Sequence, residues 1–355
     1  MNHAAAATHA LSIRDLEPRE GYARLIEAKD EQTGLHALIS IHSLQRGPAA
    51  GGCRMFNYAR IEDAIYDVER LSRGMTYKNA AAELPLGGGK SVIIGDPKTQ
   101  KTPELMRAFG AFIEHLAGNY YTAEDVGVSP QDMANVAEST SYVAGLDGGE
   151  FASGDPSPVT ARGVFLCLKQ TLKHGLGTDD LSGKTIAIQG LGHVGMSLAG
   201  MLHKAGAKLI VSDINDETVR LAETEFGATV VSPDEILHQD ADVFAPCAMG
   251  GVLTADAIDR LKVRFVVGAA NNQLADETCG QRLQDRGILY APDYIVNGGG
   301  IVNVAMEILK ISDPSYRENR ISGLATTLEQ VFARADETGE PPHMVADRLI
   351  ERRLA

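Results

Sequence analysis

The segment Gly190-Leu191-Gly192-His193-Val194-Gly195 constrains this chain more than any other, because its G-x-G-x-x-G spacing falls directly between a strand-like run and a helix-like run. KTIAIQ (184–189) reads as a buried strand, residues 194–204 as a helix and AKLIVS (207–212) as a second strand, which together make one βαβ unit. In that setting the first glycine permits a tight turn and the second lets a pyrophosphate approach the backbone. The third allows close helix-strand packing, while the helix N-terminal N–H groups face the phosphates. The loop 190–195, His193 and Val194 included, is thus the expected cofactor contact. Asp213, at the end of the second strand, can accept hydrogen bonds from a ribose diol and repels a 2′-phosphate, so the motif favours NAD over NADP. Gly89-Lys90-Ser91 imitates the end of a P-loop, but that motif needs glycine at position 84, where Leu84 stands.

One such unit accounts for only part of 355 residues, a length that suggests two domains. A net charge of −14 and the lack of any basic run argue against a nucleic-acid surface and leave small-molecule chemistry as the expectation. The four cysteines are widely spaced with no C-x-x-C, and the ten histidines show no H-E-x-x-H, so neither a disulfide framework nor a metal site is expected. No apolar run is long enough to span a bilayer, and residues 1–10 read as a frayed tail rather than a signal peptide. A cytoplasmic protein is the expectation that follows.

Upstream of the βαβ unit, HALISIH (36–42) alternates as a strand and leads into the turn Gly47-Pro48. Ile61, Ala64, Ile65, Val68 and Leu71 recur at helical spacing, and Gly87–Gly89 reads as a loop entering a strand over 91–94. A second amphipathic helix is marked by Leu105, Phe109, Phe112, Ile113 and Leu116, followed by a strand near Tyr120 and a polar turn at Ala123-Glu124-Asp125. The alternation predicts an α/β domain with a parallel sheet. Glycines and prolines concentrate over 145–158, as in an interdomain hinge. Further strands are predicted at 242–245, 264–267 and 288–290, with helix from 315 onward.

GPAAGGCRM (47–55), GMTYKNAAAELPLGGGKSVIIGDP (74–97), TAEDVG (122–127), FAPCAMGG (244–251), GAANNQLAD (268–276) and ILYAPDYIVNGGG (288–300) resemble the Glu/Leu/Phe/Val dehydrogenase family. Similarity is nearest to its leucine dehydrogenase branch, with phenylalanine dehydrogenases as neighbours. The resemblance implies an N-terminal α/β substrate-binding and oligomerisation domain over 1–145, joined by a C-terminal helical segment over about 331–355. It also implies a Rossmann NAD-binding domain over 146–330, separated from the first by a cleft. It implies homo-oligomers, and an NAD-dependent enzyme of amino-acid metabolism that oxidatively deaminates an L-amino acid to its 2-oxo acid and ammonia.

By the same resemblance Lys78 binds the substrate carboxylate, Lys90 activates water and Asp125 exchanges a proton with the substrate nitrogen. Gly51 lines the carboxylate site, Asn271 contacts substrate and nicotinamide, and Thr160 contacts the carboxamide. The chemistry needs a neutral base: hydride leaves Cα, water attacks the iminium and the carbinolamine collapses. A second lysine close to Lys90 is expected to make its neutral form accessible. Ala50, Ala123, Ile301 and Val304 are expected to line an apolar side-chain pocket that offers no charge to a glutamate substrate. Leucine dehydrogenases carry leucine where this chain has Ala50 and alanine where it has Gly298. Volume differences of that size leave leucine, valine, isoleucine and aromatic substrates all open, since each methylene is worth only ~1–3 kcal/mol. Two other readings predict different residues. A non-catalytic NAD-responsive protein has no need of Lys78, Lys90 and Asp125 together, and a 2-hydroxy-acid dehydrogenase would pair a histidine with a carboxylate and an arginine.

Overall fold

The computed structural model describes residues 11–146, 148 and 151–354; the expected N-terminal tail and residues 147, 149 and 150 of the expected hinge lie outside them. The described residues divide into two compact units, one drawn from 11–80, 84–154 and 304–312, the other from 81–83, 155–303 and 313–354.

The first unit is built on β1 (Ser12–Leu16), β2 (Arg24–Asp30), β3 (Leu35–Ser43), β4 (Ala49–Phe56), β5 (Gly87–Ile94) and β6 (Tyr120–Glu124), in the order β1-β2-β3-β5-β4-β6. The alternation in β3 sends Leu38 to one face, where it packs with Val92, Ala64 and Val68 of helix α1 (Ile61–Ala81). Ala37, Ile39 and Ile41 go to the other face, against Phe109 and Phe112 of α2 (Pro103–Glu114) and Met133 and Val136 of α3 (Pro130–Ala137). Thr102 caps α2 through the Leu105 N–H at 3.2 Å, and a reciprocal Ser129–Asp132 capping box starts α3.

Three sequence expectations change here. The sheet is mixed rather than parallel, because β3 runs antiparallel to β5 while β5, β4 and β6 are parallel. Gly87–Gly89 lie within β5 instead of a loop, and Ala123 and Glu124 belong to β6, leaving only Asp125 beyond its end. The glycines are tolerated in the strand because both faces are crowded. Thr76 of α1 occupies the place of a Cβ on Gly88, and the Tyr120 ring stands 2.7 Å from that of Gly89.

In the second unit, α4 (Ser157–Leu176) precedes β7 (Thr185–Gln189), α5 (His193–Lys204), β8 (Lys208–Ser212), α6 (Asp216–Phe226) and β9 (Thr229–Val230). There follow β10 (Val243–Pro246), α7 (Ala255–Arg260), β11 (Phe265–Val266), α8 (Thr278–Asp285) and β12 (Leu289–Tyr290). All pairs are parallel in the order β12-β11-β10-β7-β8-β9, the doubly wound arrangement whose strand order reverses beside β7. The short α9 (Asp293–Val296) leads to α10 (Gly299–Ile308), and α11 (Pro314–Thr338) and α12 (Pro342–Leu354) end the chain. The segment expected to rejoin the first unit instead groups with the second, where α11 packs along α4 and α12 along α11. Val304–Ser312 is the late segment that returns to the first unit. There the Glu307 carboxylate accepts from Gly145 N at 2.8 Å and from Ser153 Oγ at 2.7 Å.

Candidate active site

In the first unit the chemistry-bearing side chains converge on β4. Alternation puts Ala50, Gly52 and Arg54 on one face of that strand, and its neighbours β5 and β6 bring Lys90 and Asp125 to it from either side. Lys90 is buried at 6% exposure and its Nζ donates to Asp125 Oδ2. Gly52 makes this contact possible, because a Cβ there would stand 2.9 Å from Asp125 Cβ and 3.2 Å from Lys90 Nζ. Gly51 faces elsewhere: a side chain on it would run into Gly89 O and Met75 Cγ. Lys78 is half-buried in the last turn of α1, on the helix face it shares with Met75 by the i, i+3 relation.

Asp125 is held by two cations. Its Oδ2 also lies 3.5 Å from Arg54 Nε, and Arg54 donates from its other side to Asp67 Oδ2 at 2.8 Å. Burial alone would raise the Asp125 carboxyl, but the charges of Lys90 and Arg54 outweigh it and hold the group down to about 2. To the sequence-based picture of Lys90 the structure adds a carboxylate in direct contact with it and a guanidinium behind that carboxylate. Beside the pair, the Cys53 thiol is fully buried and pushed up to about 12 by desolvation, which leaves it protonated.

In the second unit the glycine loop has the shape its spacing predicts. Gly190 adopts φ +97° against Ala248, and Gly190 O fills the space that a Cβ on Gly195 would need. A Cβ on Gly192 would meet nothing within 4 Å, and α5 starts there without a side-chain cap, so open space adjoins uncapped helix N–H groups. Asp213 accepts from Leu191 N at 2.5 Å and from Asn215 N at 2.8 Å, which fixes its carboxylate at the loop. His193 is exposed at the first turn of α5, 3.7 Å from Asp155. A dinucleotide fits these residues: a glycine cradle for its pyrophosphate and a fixed carboxylate for its ribose.

Thr160 lies in the first turn of α4 with its hydroxyl on Pro156 O at 3.0 Å, and α10 begins against it. A Cβ on Gly299 would strike Val159 O, and one on Gly300 would come 2.7 Å from Thr160 Oγ1, so the glycine run lets two helices touch backbone to backbone. Asn271 is held by Asn297, whose Nδ2 donates to Asn271 Oδ1 at 2.9 Å and to Ala269 O at 3.0 Å. Of the expected pocket residues, Ala50 is fully buried, while Ala123 and Val304 in the first unit and Ile301 in the second keep slight exposure. The methyl missing at Gly298 would face Leu324 of α11 at 2.9 Å, so that difference concerns packing within the second unit.

Comparison with known proteins identifies the family of both units. The Glu/Leu/Phe/Val dehydrogenase dimerisation domain matches residues 23–142, and the Glutamate/Leucine/Phenylalanine/Valine dehydrogenase domain matches 153–217 and 210–340. The chain belongs to the Glu/Leu/Phe/Val dehydrogenase family. It is 48% identical to leucine dehydrogenase of Bacillus subtilis (strain 168) over 94% of this chain and 91% of that one. It is 42% identical to phenylalanine dehydrogenase of Bacillus thermotolerans over 95% and 90% respectively. The crystal structure of L-tryptophan dehydrogenase from Nostoc punctiforme superimposes with a TM-score of 0.83 at 39% identity, covering 94% of this chain and 96% of that one.

For a member of this dehydrogenase family, the sequence reading overlooked three supporting residues. Gly52 and Arg54 could have been found from strand alternation, since both fall in register with Ala50 once β4 is recognised as a strand. Asn297 carried only its place before the glycine run as a signal.

Proposed function

We propose that this dehydrogenase oxidatively deaminates an apolar L-amino acid of the leucine, valine or isoleucine type to its 2-oxo acid and ammonia, with NAD as acceptor. The observation that carries the proposal is the part-buried Lys90–Asp125 contact over Gly52, a proton-handling pair formed by a strand residue and the residue just past the end of a neighbouring strand, in a chain that also has a dinucleotide loop. NAD, when bound, supplies the acceptor for the hydride leaving Cα. Gly190, Gly192 and Gly195 hold its pyrophosphate and Asp213 its ribose diol, with Thr160 and Asn271 toward the nicotinamide. Lys78 binds the substrate carboxylate beside Gly51, and Asp125 takes a proton from the substrate amino group. Lys90 in its neutral form takes the proton of the attacking water. Ala50, Ala123 and Val304 of the first unit bound the side chain without a charge, which disfavours glutamate.

An aromatic substrate is the second reading, favoured by the small Ala50 and by the identity to a phenylalanine dehydrogenase. We assign the substrate and oligomer contacts to the first unit, and expect a homo-oligomer in the cytoplasm; no helix among the described residues is long and apolar enough to cross a membrane. NADH formation with a panel of L-amino acids tests the reading. Aliphatic or aromatic residues should be turned over and glutamate poorly, and Lys90→Ala or Asp125→Asn should lose ~10²-fold or more in rate while still binding NAD. No turnover with any amino acid, or an undiminished Lys90→Ala enzyme, would overturn it.

A further inference from the structure

We propose that Arg54 is a positioning residue for the Lys90–Asp125 pair: its guanidinium, braced from behind by Asp67, keeps the Asp125 carboxylate ionised and in place when Lys90 gives up its proton. The inference rests on the reading of those two residues as the groups that move protons in deamination.

The geometry is specific. Arg54 Nε is buried and makes no hydrogen bond, yet lies 3.5 Å from the same carboxylate oxygen that Lys90 Nζ engages. The opposite side of the guanidinium is fixed, with Nη1 on Asp67 Oδ2 at 2.8 Å. Asp67 is itself fixed in place, because Tyr58 Oη donates to Oδ2 at 2.7 Å and Arg70 Nη2 to Oδ1 at 3.0 Å. Arg54 therefore presents one unspent donor to Asp125, and an approach of about half an ångström would make it a normal hydrogen bond.

Such a donor matters at one moment of the cycle. Lys90 can take a proton from water only after losing its own, and Asp125 then loses the cation that balanced it. Without a second cation the departing proton could settle on Asp125, leaving no acceptor for the substrate nitrogen. A guanidinium does not deprotonate in this range, so it can hold the carboxylate charge throughout. Among the described residues, Arg54 is the second cation recorded in an ion pair with Asp125. Cys53 on β4 and Tyr120 on β6 are buried with raised ionisation and stay neutral. Asp132, beyond the turn, is engaged by Lys101 at 2.7 Å, and Asp67 on α1 is anionic and screened by Arg54 itself. Lys78 is on the same helix as Asp67 and is assigned to the substrate carboxylate.

Arg54 favours loss of the proton from the pair and opposes protonation of Asp125, whereas Asp67 weakens both effects. In Arg54→Gln the acid limb and the alkaline rise of kcat should both move to higher pH, by about one unit or more for a charge at this distance. Arg54→Lys should recover most of the shift, and Asp67→Asn should move both limbs the opposite way. As a readout that needs no turnover, the Asp125 carboxylate band, assigned by its loss in Asp125→Asn, is titrated by infrared spectroscopy in NAD-free protein and should follow the acid limb. A uniform fall in kcat with unmoved limbs and titration, or shifts of the same sign in Arg54→Gln and Asp67→Asn, would show a merely structural role and overturn the proposal. If Arg54→Gln does not fold, Asp67→Asn decides alone: limbs and titration moved to lower pH support the proposal, and unmoved ones overturn it. If the unmodified enzyme turns over no amino acid, the functional reading fails, and the infrared titration still decides the role of Arg54.

Discussion

Replacing Gly52 by alanine tests whether the Lys90–Asp125 pair depends on a bare strand between its members. The added methyl would sit 2.7 Å from Glu124 O, 2.9 Å from Asp125 Cβ and 3.2 Å from Lys90 Nζ. To reach an ordinary 3.4 Å contact, the β6 carbonyl has to recede by about 0.7 Å and Asp125 by about 0.5 Å. The carbonyl is backbone in a parallel ladder with β4 and cannot swing aside like a side-chain tip, so the displacement passes to Asp125. Overpacking of this kind costs about 1–3 kcal/mol of stability, and a displacement approaching 1 Å at reacting groups costs on the order of 10²-fold in rate. Steady-state kinetics should therefore show kcat/KM reduced by ~10²-fold, with NAD affinity by fluorescence titration unchanged, since the glycine loop belongs to the other unit. Gly323→Ala on α11, where a Cβ meets nothing within 4 Å, is the control and should leave the rate intact. A Gly52→Ala enzyme with near-normal kcat/KM would refute the argument that this glycine is required by the pair.

Asp213→Ser should narrow the preference for NAD over NADP by at least ~10-fold in kcat/KM, because a carboxylate fixed at the loop by Leu191 N–H repels a 2′-phosphate; an unchanged ratio would remove Asp213 from the ribose site. Ala50→Leu replaces a methyl with an isobutyl group at a fully buried position and should shift the phenylalanine-to-leucine ratio of kcat/KM toward leucine by ~1–3 kcal/mol; a constant ratio would place Ala50 outside the pocket. Burial would raise the Glu27 carboxyl, but Arg14, His36 and Lys29 hold it down to about 2 from 4.5, so its stabilising contribution is complete above pH 4.5 and lost as pH falls toward 2. Acid unfolding of Glu27→Gln, followed by circular dichroism, should show a flatter dependence over that window than the unmodified chain, and an identical dependence would count against this ion-pair cluster.

What was legible in the sequence divides by the range of the interactions involved. The βαβ unit could be read because its signals are local: strand, glycine turn, helix and terminal acid follow one another within about thirty residues. Lys90 and Asp125 could be nominated only by resemblance, because their meeting depends on β4 lying between β5 and β6, a strand order that no local pattern encodes. Gly87–Gly89 misled for a physical reason. Glycine runs favour loops by backbone entropy, and only the crowding by Thr76 and Tyr120 from separate elements makes them a strand. Likewise the charged pattern of the C-terminal helices showed that they were helical, but not that α11 packs along α4. Arg54 was overlooked although its signal was present, since alternation from Ala50 reaches it in two steps.

The order β5-β4-β6 gives the Lys90–Asp125 pair a particular kind of gauge. Strands in a sheet stand about 4.8 Å apart whatever their side chains, so β5 and β6 are held near 9.6 Å from one another by backbone hydrogen bonds alone. A lysine reaching over a vacant strand spans that interval to Asp125, the first residue past the end of β6, so most of its span is measured by the sheet. Apolar positions such as Ala50 and Ala123 can therefore vary in volume on the same strands without recalibrating the Lys90–Asp125 separation. A fold with this ruler built into it can be retuned at its apolar positions while Lys90 and Asp125 stay in register.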